Sequence, residues 1–307
     1  MEPLLTLLAD PTLRPAVLGT AALGAVSGGV GTFAVVRRQS LQGDAVSHAA
    51  LPGVAAAYWL GGRSEIALLL GAAVTGWLAL TLVGALTRRG RASFDSALAG
   101  ALAVFFGLGL VLMTYLQRLY PGTPAVRLQQ YLFGAEAATI RLGDLVPLLA
   151  LGVPALLVLL AFWKEFKLLS FDPDFGASLG LPVRRLDVLL TVVIVAAVVI
   201  GLQTVGVVLM SALIVAPAAA ARQWTDRLGT LVTLAMLFGA AAGVTGTLLA
   251  HTLSERGHAV PTGPTIVLTA TAFTLASLLF APRRGLLPQL ARRRPAAPPP
   301  LAEAGAP

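Results

Sequence analysis

The 307-residue chain contains no cysteine. That absence removes disulfides and thiolate metal sites together, so any metal it handles must meet nitrogen and oxygen ligands. Charge is scarce: only 12% of residues are Asp, Glu, Lys or Arg, about half the ~25% of a soluble domain. Lysine occurs only at Lys164 and Lys167, in "WKEFK". No G-x-x-x-x-G-K-[ST] run exists, so the chain cannot cradle a nucleotide phosphate by that route. No H-E-x-x-H occurs either, which leaves a membrane zinc protease without support. "GASLG", Gly176–Gly180, matches G-x-S-x-G literally, but a nucleophilic serine needs a strand–turn–helix setting and a histidine in reach. Ser178 lies in a loop that the charge distribution puts on the opposite side from His251 and His258. None of these three catalytic readings is therefore supported.

What is abundant is apolar surface. Hydrophobic residues make up 57% of the chain and the mean hydropathy is +0.84. The apolar residues come in runs of about 20, each long enough to cross a ~30 Å hydrocarbon layer. The pattern predicts an all-α, polytopic membrane bundle with spans at 15–35, 43–61, 65–86, 96–116, 144–163, 187–202, 205–221, 229–250 and 264–281. The sixth and seventh share one uncharged stretch, Val188–Ala221, broken at Gln203-Thr204-Val205-Gly206. That is short for two full crossings, so eight or nine segments are expected, one of them a half-helix or a re-entrant piece.

The formal charge of +8 does not point to nucleic acid, because the basic residues are spread between apolar runs. With the N-terminus outside, sixteen of the 22 basic residues fall in inner segments, from Arg37 and Arg38 to Arg292–Arg294. The lipid-facing reading is thus a multi-pass membrane protein with a cytoplasmic C-terminus. No basic leader precedes the first apolar run, so no cleaved signal peptide is expected. Residues 1–282 are read as the transmembrane domain. Residues 283–307 turn basic and then Pro/Ala-rich, a composition expected to be disordered. Gly24 and Gly28 form a GxxxG pair in the first span, which suits close helix packing.

The chemistry concentrates in "QGDAVSHAALPGVAAAYWL", Gln42–Leu60. Asp44 is the one carboxylate that falls clearly within a predicted span, and His48 follows it by four residues, one helical turn away on the same face. Counted from Arg37-Arg38 at 1.5 Å per residue, Asp44 lies about 9–10 Å in and His48 about 15–16 Å in, near mid-bilayer. Pro52 has no amide hydrogen for the His48 carbonyl. One stretch thus offers a carboxylate, an imidazole and a carbonyl, ligands for a borderline or hard divalent cation. Ionisable groups at that depth are costly and by default mark a pathway; the alternative is an interfacial Asp44 with His48 in an interhelical hydrogen bond. A second cluster, His251, Glu255 and His258 in "HTLSERGHAVPTGP", reads equally as an outer metal vestibule or as an ordinary solvated loop.

These residues resemble a known family. "GDAVSHAALPG", Gly43–Gly53, is similar throughout to the Gly-Asp-Ala-x-Ser-His-Ala-x-Leu-Pro-Gly signature of the membrane permeases of bacterial ABC importers for zinc, manganese and iron(II). "YLFGAEAATIRLGDL", "FDPDFGASLGLPVRRLD", "VGVVLMSALIVAPAAAARQWTDRL" and "VPTGPTIVL" resemble its later blocks in order and spacing, so the likeness runs from about Val26 to Val267. The resemblance implies a permease paired with a second copy, a cytoplasmic ABC ATPase dimer that alone binds ATP, and an extracytoplasmic metal-binding protein. It implies no tightly held cofactor, only transported Mn(II), Zn(II) or iron(II). It also implies that the segment after Pro217, with Arg222, Asp226 and Arg227, couples to the ATPase. Where the family has a Ser-Tyr-x-x-Asp-type run, this chain has "AHTLSERGHAVPTG". A self-sufficient cation channel or secondary transporter using Asp44 and His48 as a relay is the alternative reading.

Overall fold

The computed structural model describes residues 13–62, 64–90, 92–119, 142–204, 206–258 and 260–292. Most of "YLFGAEAATIRLGDL" and the tail after residue 292 lie outside them. Among the described residues there are twelve helices and no strand. In chain order they are α1 Leu13–Val36, α2 Gln42–Trp59, α3 Glu65–Arg88, α4 Phe94–Leu119, α5 Leu142–Ala161, α6 Trp163–Phe171, α7 Pro173–Ser178, α8 Val183–Thr204, α9 Val207–Arg222, α10 Leu228–Glu255, α11 Thr262–Phe280 and α12 Leu286–Arg292. Helices are the expected answer to a hydrocarbon solvent, since each backbone N–H and C=O is satisfied within its own segment.

Each predicted span coincides with a helix, but fewer of them are long and apolar enough to cross a membrane by themselves. Six helices are long and apolar enough to cross a membrane: α1, α3, α4, α8, α10 and α11. A seventh arises if α5 and α6, bent by 74° at Phe162, form one broken span. Two predicted segments fall short for different reasons. α2 has 18 residues but is diluted by Gln42, Asp44, Ser47 and His48. α9 has 16 residues, about 24 Å at 1.5 Å per residue. Of the adjoining pair α8 and α9, α9 is thus the short member. They part at Gly206, whose φ of 92° is open to glycine.

Two tight helix seams organise the bundle. α1 and α10 run antiparallel, with Gly24 against Gly239, Gly28 against Ala235 and Thr20 against Gly243. The Thr20 hydroxyl also lies 2.9 Å from that of Thr247. Both helices use i, i+4 rows of small residues, which lets backbones meet directly. α2 packs between α3 and α4: Gly53 meets Gly71, and Gly109 meets Leu51 and Pro52.

One end of the bundle gathers most of the guanidinium groups among the described residues. Arg37, just past α1, donates to Asp187 of α8 at 2.6 Å, and Arg88 at the end of α3 approaches the other carboxylate oxygen at 3.6 Å. Asp226, after α9, pairs with Arg283 at 3.4 Å and with Arg284. These pairs tie the start of the predicted tail to the bundle. Leu286–Arg292 then forms α12 rather than irregular chain; its Pro288 sits in the first turn, where a missing amide hydrogen costs nothing.

Candidate functional site

Asp44 lies in the first turn of α2, where a carboxylate is favoured by the helix dipole. The next turn carries His48, and its Nε2 stands 3.4 Å from Asp44 Oδ1. Neither side chain is fully enclosed: His48 is 20% exposed and Asp44 34%. The Ser211 hydroxyl of α9 hydrogen-bonds the Asp44 carboxylate. The His48 ring stands edge-on to Phe106 of α4, with centroids 4.9 Å apart at 81°. Three helices therefore hold the pair: α2 supplies it, α9 bonds the acid and α4 props the imidazole.

Neighbours also set its depth. Phe106 lies halfway along α4, and Val46, between the two residues, packs against Gly76, halfway along α3. The pair sits at mid-height of its longer neighbours, although α2 itself begins only at Gln42. A turn at 37–41, with Arg38 at φ 57°, separates α1 from α2.

His48 Nδ1 is buried and makes no hydrogen bond among the described residues. An imidazole whose Nε2–H is held by a carboxylate presents Nδ1 as a lone pair. That is the arrangement in which a carboxylate orients a metal-binding histidine. No group of three or more His, Asp or Glu side chains able to hold a metal occurs among the described residues. As placed, Nδ1 and the His48 carbonyl opposite Pro52 are open while Asp44 holds Nε2–H. Even with the carboxylate released as a second side-chain ligand, the described residues stay short of the four of a closed structural site.

The second predicted cluster is only partly assembled. His251 Nε2 lies 3.3 Å from Glu255 Oε1 at the far end of α10. His258 does not join them as a third ligand. Gly257, at φ 86°, ends α10, and the His258 amide closes back on the Leu253 carbonyl at 3.2 Å. This is the bond pattern of a Schellman cap. Ser178 is exposed at the end of α7, its hydroxyl bonded to the Phe175 carbonyl at 2.8 Å.

The segment after Pro217 is not a separate helix. Pro217 is buried inside α9, residues 218–222 complete that helix, and residues 223–227 turn into α10. Arg222 and Arg227 flank this turn, and Asp226 is held by the two arginines described above. Sequence reasoning passed over a neighbouring feature at the same end. Phe171, Phe175 and Leu179, on and beside α6 and α7, are 59%, 53% and 61% exposed. Their i, i+4, i+8 spacing was visible in "FDPDFGASLG", but the motif drew attention to the serine instead.

The ABC 3 transport family matches residues 9–281. The chain belongs to that family. Among its relatives, the zinc transport system membrane protein TroC of Treponema pallidum (strain Nichols) is 46% identical over 96% of this chain and 97% of its own length. The manganese transport system membrane protein MntC of Bacillus subtilis (strain 168) is 43% identical over 91% of this chain, which spans 63% of that relative. A solved structure, PsaBC from Streptococcus pneumoniae in complex with Fab, contains a chain that superposes with a TM-score of 0.78 at 31% identity, over 90% of this chain and 95% of that one. An inward-facing putative metal-chelate type ABC transporter superposes at 0.65 with 20% identity, over 84% of both chains, and shares the fold alone. As an ABC 3 chain, the protein carries the family-like signature Gly43–Gly53 on α2, the helix that holds Asp44 and His48.

Proposed function

We propose that this chain is the membrane-spanning subunit of an ATP-binding-cassette importer that moves Mn(II) or Zn(II) into the cytoplasm, powered by a separate ATPase. The observation that carries the reading is the Asp44–His48 pair at mid-height of the bundle in an ABC 3 chain. The names of the relatives divide between zinc and manganese, and an Asp/His set serves both cations. The importer takes two permease copies, a cytoplasmic ATPase dimer and an extracytoplasmic metal-binding protein. The arginine-rich end is its cytoplasmic face, C-terminus included. α2 and α9 complete the path as segments too short or too polar to hold in lipid alone, which brings the count to eight or nine. His251 and Glu255 then face the outer side, where cation would arrive. The test is reconstitution in proteoliposomes with the cognate ATPase and binding protein. ATP-dependent accumulation of Mn(II) or Zn(II) is expected; accumulation without ATPase would favour the channel or secondary-transporter reading.

Transport sets a limit on affinity, because a path must release what it binds. Two ligands per chain, and like charges where two Asp44 carboxylates would approach, both oppose a rigid cage. The isolated resting permease is expected to bind Mn(II) and Zn(II) weakly. Calorimetry on detergent-purified protein checks this; a stoichiometric ion held at nanomolar affinity by Asp44 and His48 would recast the pair as a structural site.

ATPase coupling falls to the Arg222–Arg227 turn, with the exposed Phe171–Phe175–Leu179 stripe beside α7 as a second contact at the same end. An apolar stripe on a polar, solvent-facing segment is a surface that needs a partner. Arg222→Glu is expected to cut transport about tenfold, the scale of a 1–3 kcal/mol coupling free energy, while ATP hydrolysis continues. If cysteines placed at positions 224 and 175 never cross-link to the co-purified ATPase, the assignment is wrong.

A further inference from the structure

At the arginine-rich end, Arg37, Arg88 and Arg184 line a cavity of about 550 Å³. Asp187 is the single acidic side chain among its lining residues, so three guanidinium groups face one carboxylate. Arg37 and Arg88 both lean on that carboxylate. Arg184 is exposed and has no ion pair among the described residues. The cavity thus carries a surplus of about two positive charges, in forks suited to the oxygens of a phosphate.

A second feature lies on the same helix pair. Ala73, Val74 and Trp77 of α3 and Val192, Val195 and Ala196 of α8 wall a groove of about 260 Å³ with no polar residue in its lining. Along α3, Trp77 is about 16 Å from Arg88, and along α8, Val192 is about 12 Å from Arg184, at 1.5 Å per residue. Half of a ~30 Å hydrocarbon layer is about 15 Å, so charged cavity and apolar groove are separated by the depth of one leaflet. A soluble anion would use the first feature and leave the second bare. An acyl chain linked to a phosphate uses both.

We propose that the α3–α8 seam holds one anionic phospholipid, its phosphodiester among Arg37, Arg88 and Arg184 and one acyl chain in the groove beside Trp77. Basic pockets between membrane helices are suited to such headgroups. Because Arg37 opens the turn that leads to Asp44, the lipid would brace the entry to α2 against α3 and α8.

The full-length permease is placed in phosphatidylcholine nanodiscs with increasing phosphatidylglycerol, and thermal unfolding and lipid retention by native mass spectrometry are followed. Phosphatidylglycerol should raise the unfolding temperature and remain bound, and inorganic phosphate should not displace it. Arg184→Gln should weaken the phosphatidylglycerol effect about fivefold, from ~1 kcal/mol per basic residue near an anionic lipid. Ala196→Leu should weaken retention by filling the groove with every arginine intact. Each variant is referred to its own unfolding in pure phosphatidylcholine, so a general loss of stability is not counted. Equal retention of phosphatidylcholine, or an unchanged response in Arg184→Gln, overturns the proposal. Displacement by inorganic phosphate with a neutral Ala196→Leu overturns it in favour of a free-anion site.

Discussion

Replacing Asp44 or His48 with alanine is expected to lower metal uptake at limiting cation by about 100-fold, the upper end of the 10–100-fold cost of disturbing a metal ligand or its orienting partner. The upper end applies because, among the described residues, no third His, Asp or Glu joins this carboxylate and this imidazole. The two changes act differently. Asp44→Ala releases the His48 ring, whose Nε2 loses its partner at 3.4 Å, whereas His48→Ala removes the buried Nδ1 itself. Asp44→Asn separates charge from geometry: the amide still reaches Ser211 and His48 but cannot neutralise a cation. Uptake should therefore fall in the asparagine variant nearly as far as in the alanine one. Expression and assembly should be unchanged, since neither side chain is a large part of the core. Normal uptake by both alanine variants would remove the pair from the pathway.

Much of this site was legible because its information is local. An i, i+4 pair on one helix and a proline four residues after His48 need no knowledge of the rest of the chain. Phe106 and Gly76 place the pair at mid-height of α4 and α3. What the sequence could not convey is held by distant partners. Asp187 is one acid in a polar loop until Arg37 and Arg88, far away along the chain, converge on it. His258 reads in the sequence equally as part of a vestibule or of a solvated loop, and the structure adds that its amide caps α10. Six or seven spans stand on length and composition alone, whereas α2 and α9 need the surrounding bundle to bury their polar or short ends. The Asp226 pairs that anchor Arg283 and Arg284 to the bundle are again long-range.

Gly24→Ala should destabilise the protein severely, while the same change at Gly107 should stabilise it slightly. Only half of the relevant contact was visible in the sequence as the Gly24–Gly28 pair; the other half is the Ala235, Gly239, Gly243, Thr247 row of α10. A methyl on Gly24 would overlap the Gly239 carbonyl, and one on Gly239 would overlap the Gly24 carbonyl. Both obstacles are backbone, which cannot rotate away, so the helices must separate along the seam. Overpacking a well-fitted core costs typically about 1–3 kcal/mol, occasionally more, and a backbone collision belongs at or above the top of that range. At Gly107 of α4 nothing lies within 4 Å of an added methyl. There the substitution gains only helix propensity, up to about 1 kcal/mol. The damage at Gly24 should also reach the metal path. Gly31 of α1 rests on the Ile214 carbonyl of α9, three residues beyond the Ser211 that bonds Asp44. Moving α1 off α10 thus moves α9 relative to α2. Gly24→Ala and Gly239→Ala should each lower the unfolding temperature of the purified permease and reduce uptake, and Gly107→Ala should do neither. Equal unfolding temperatures for Gly24→Ala and Gly107→Ala would mean that the α1–α10 seam is looser than its packing implies.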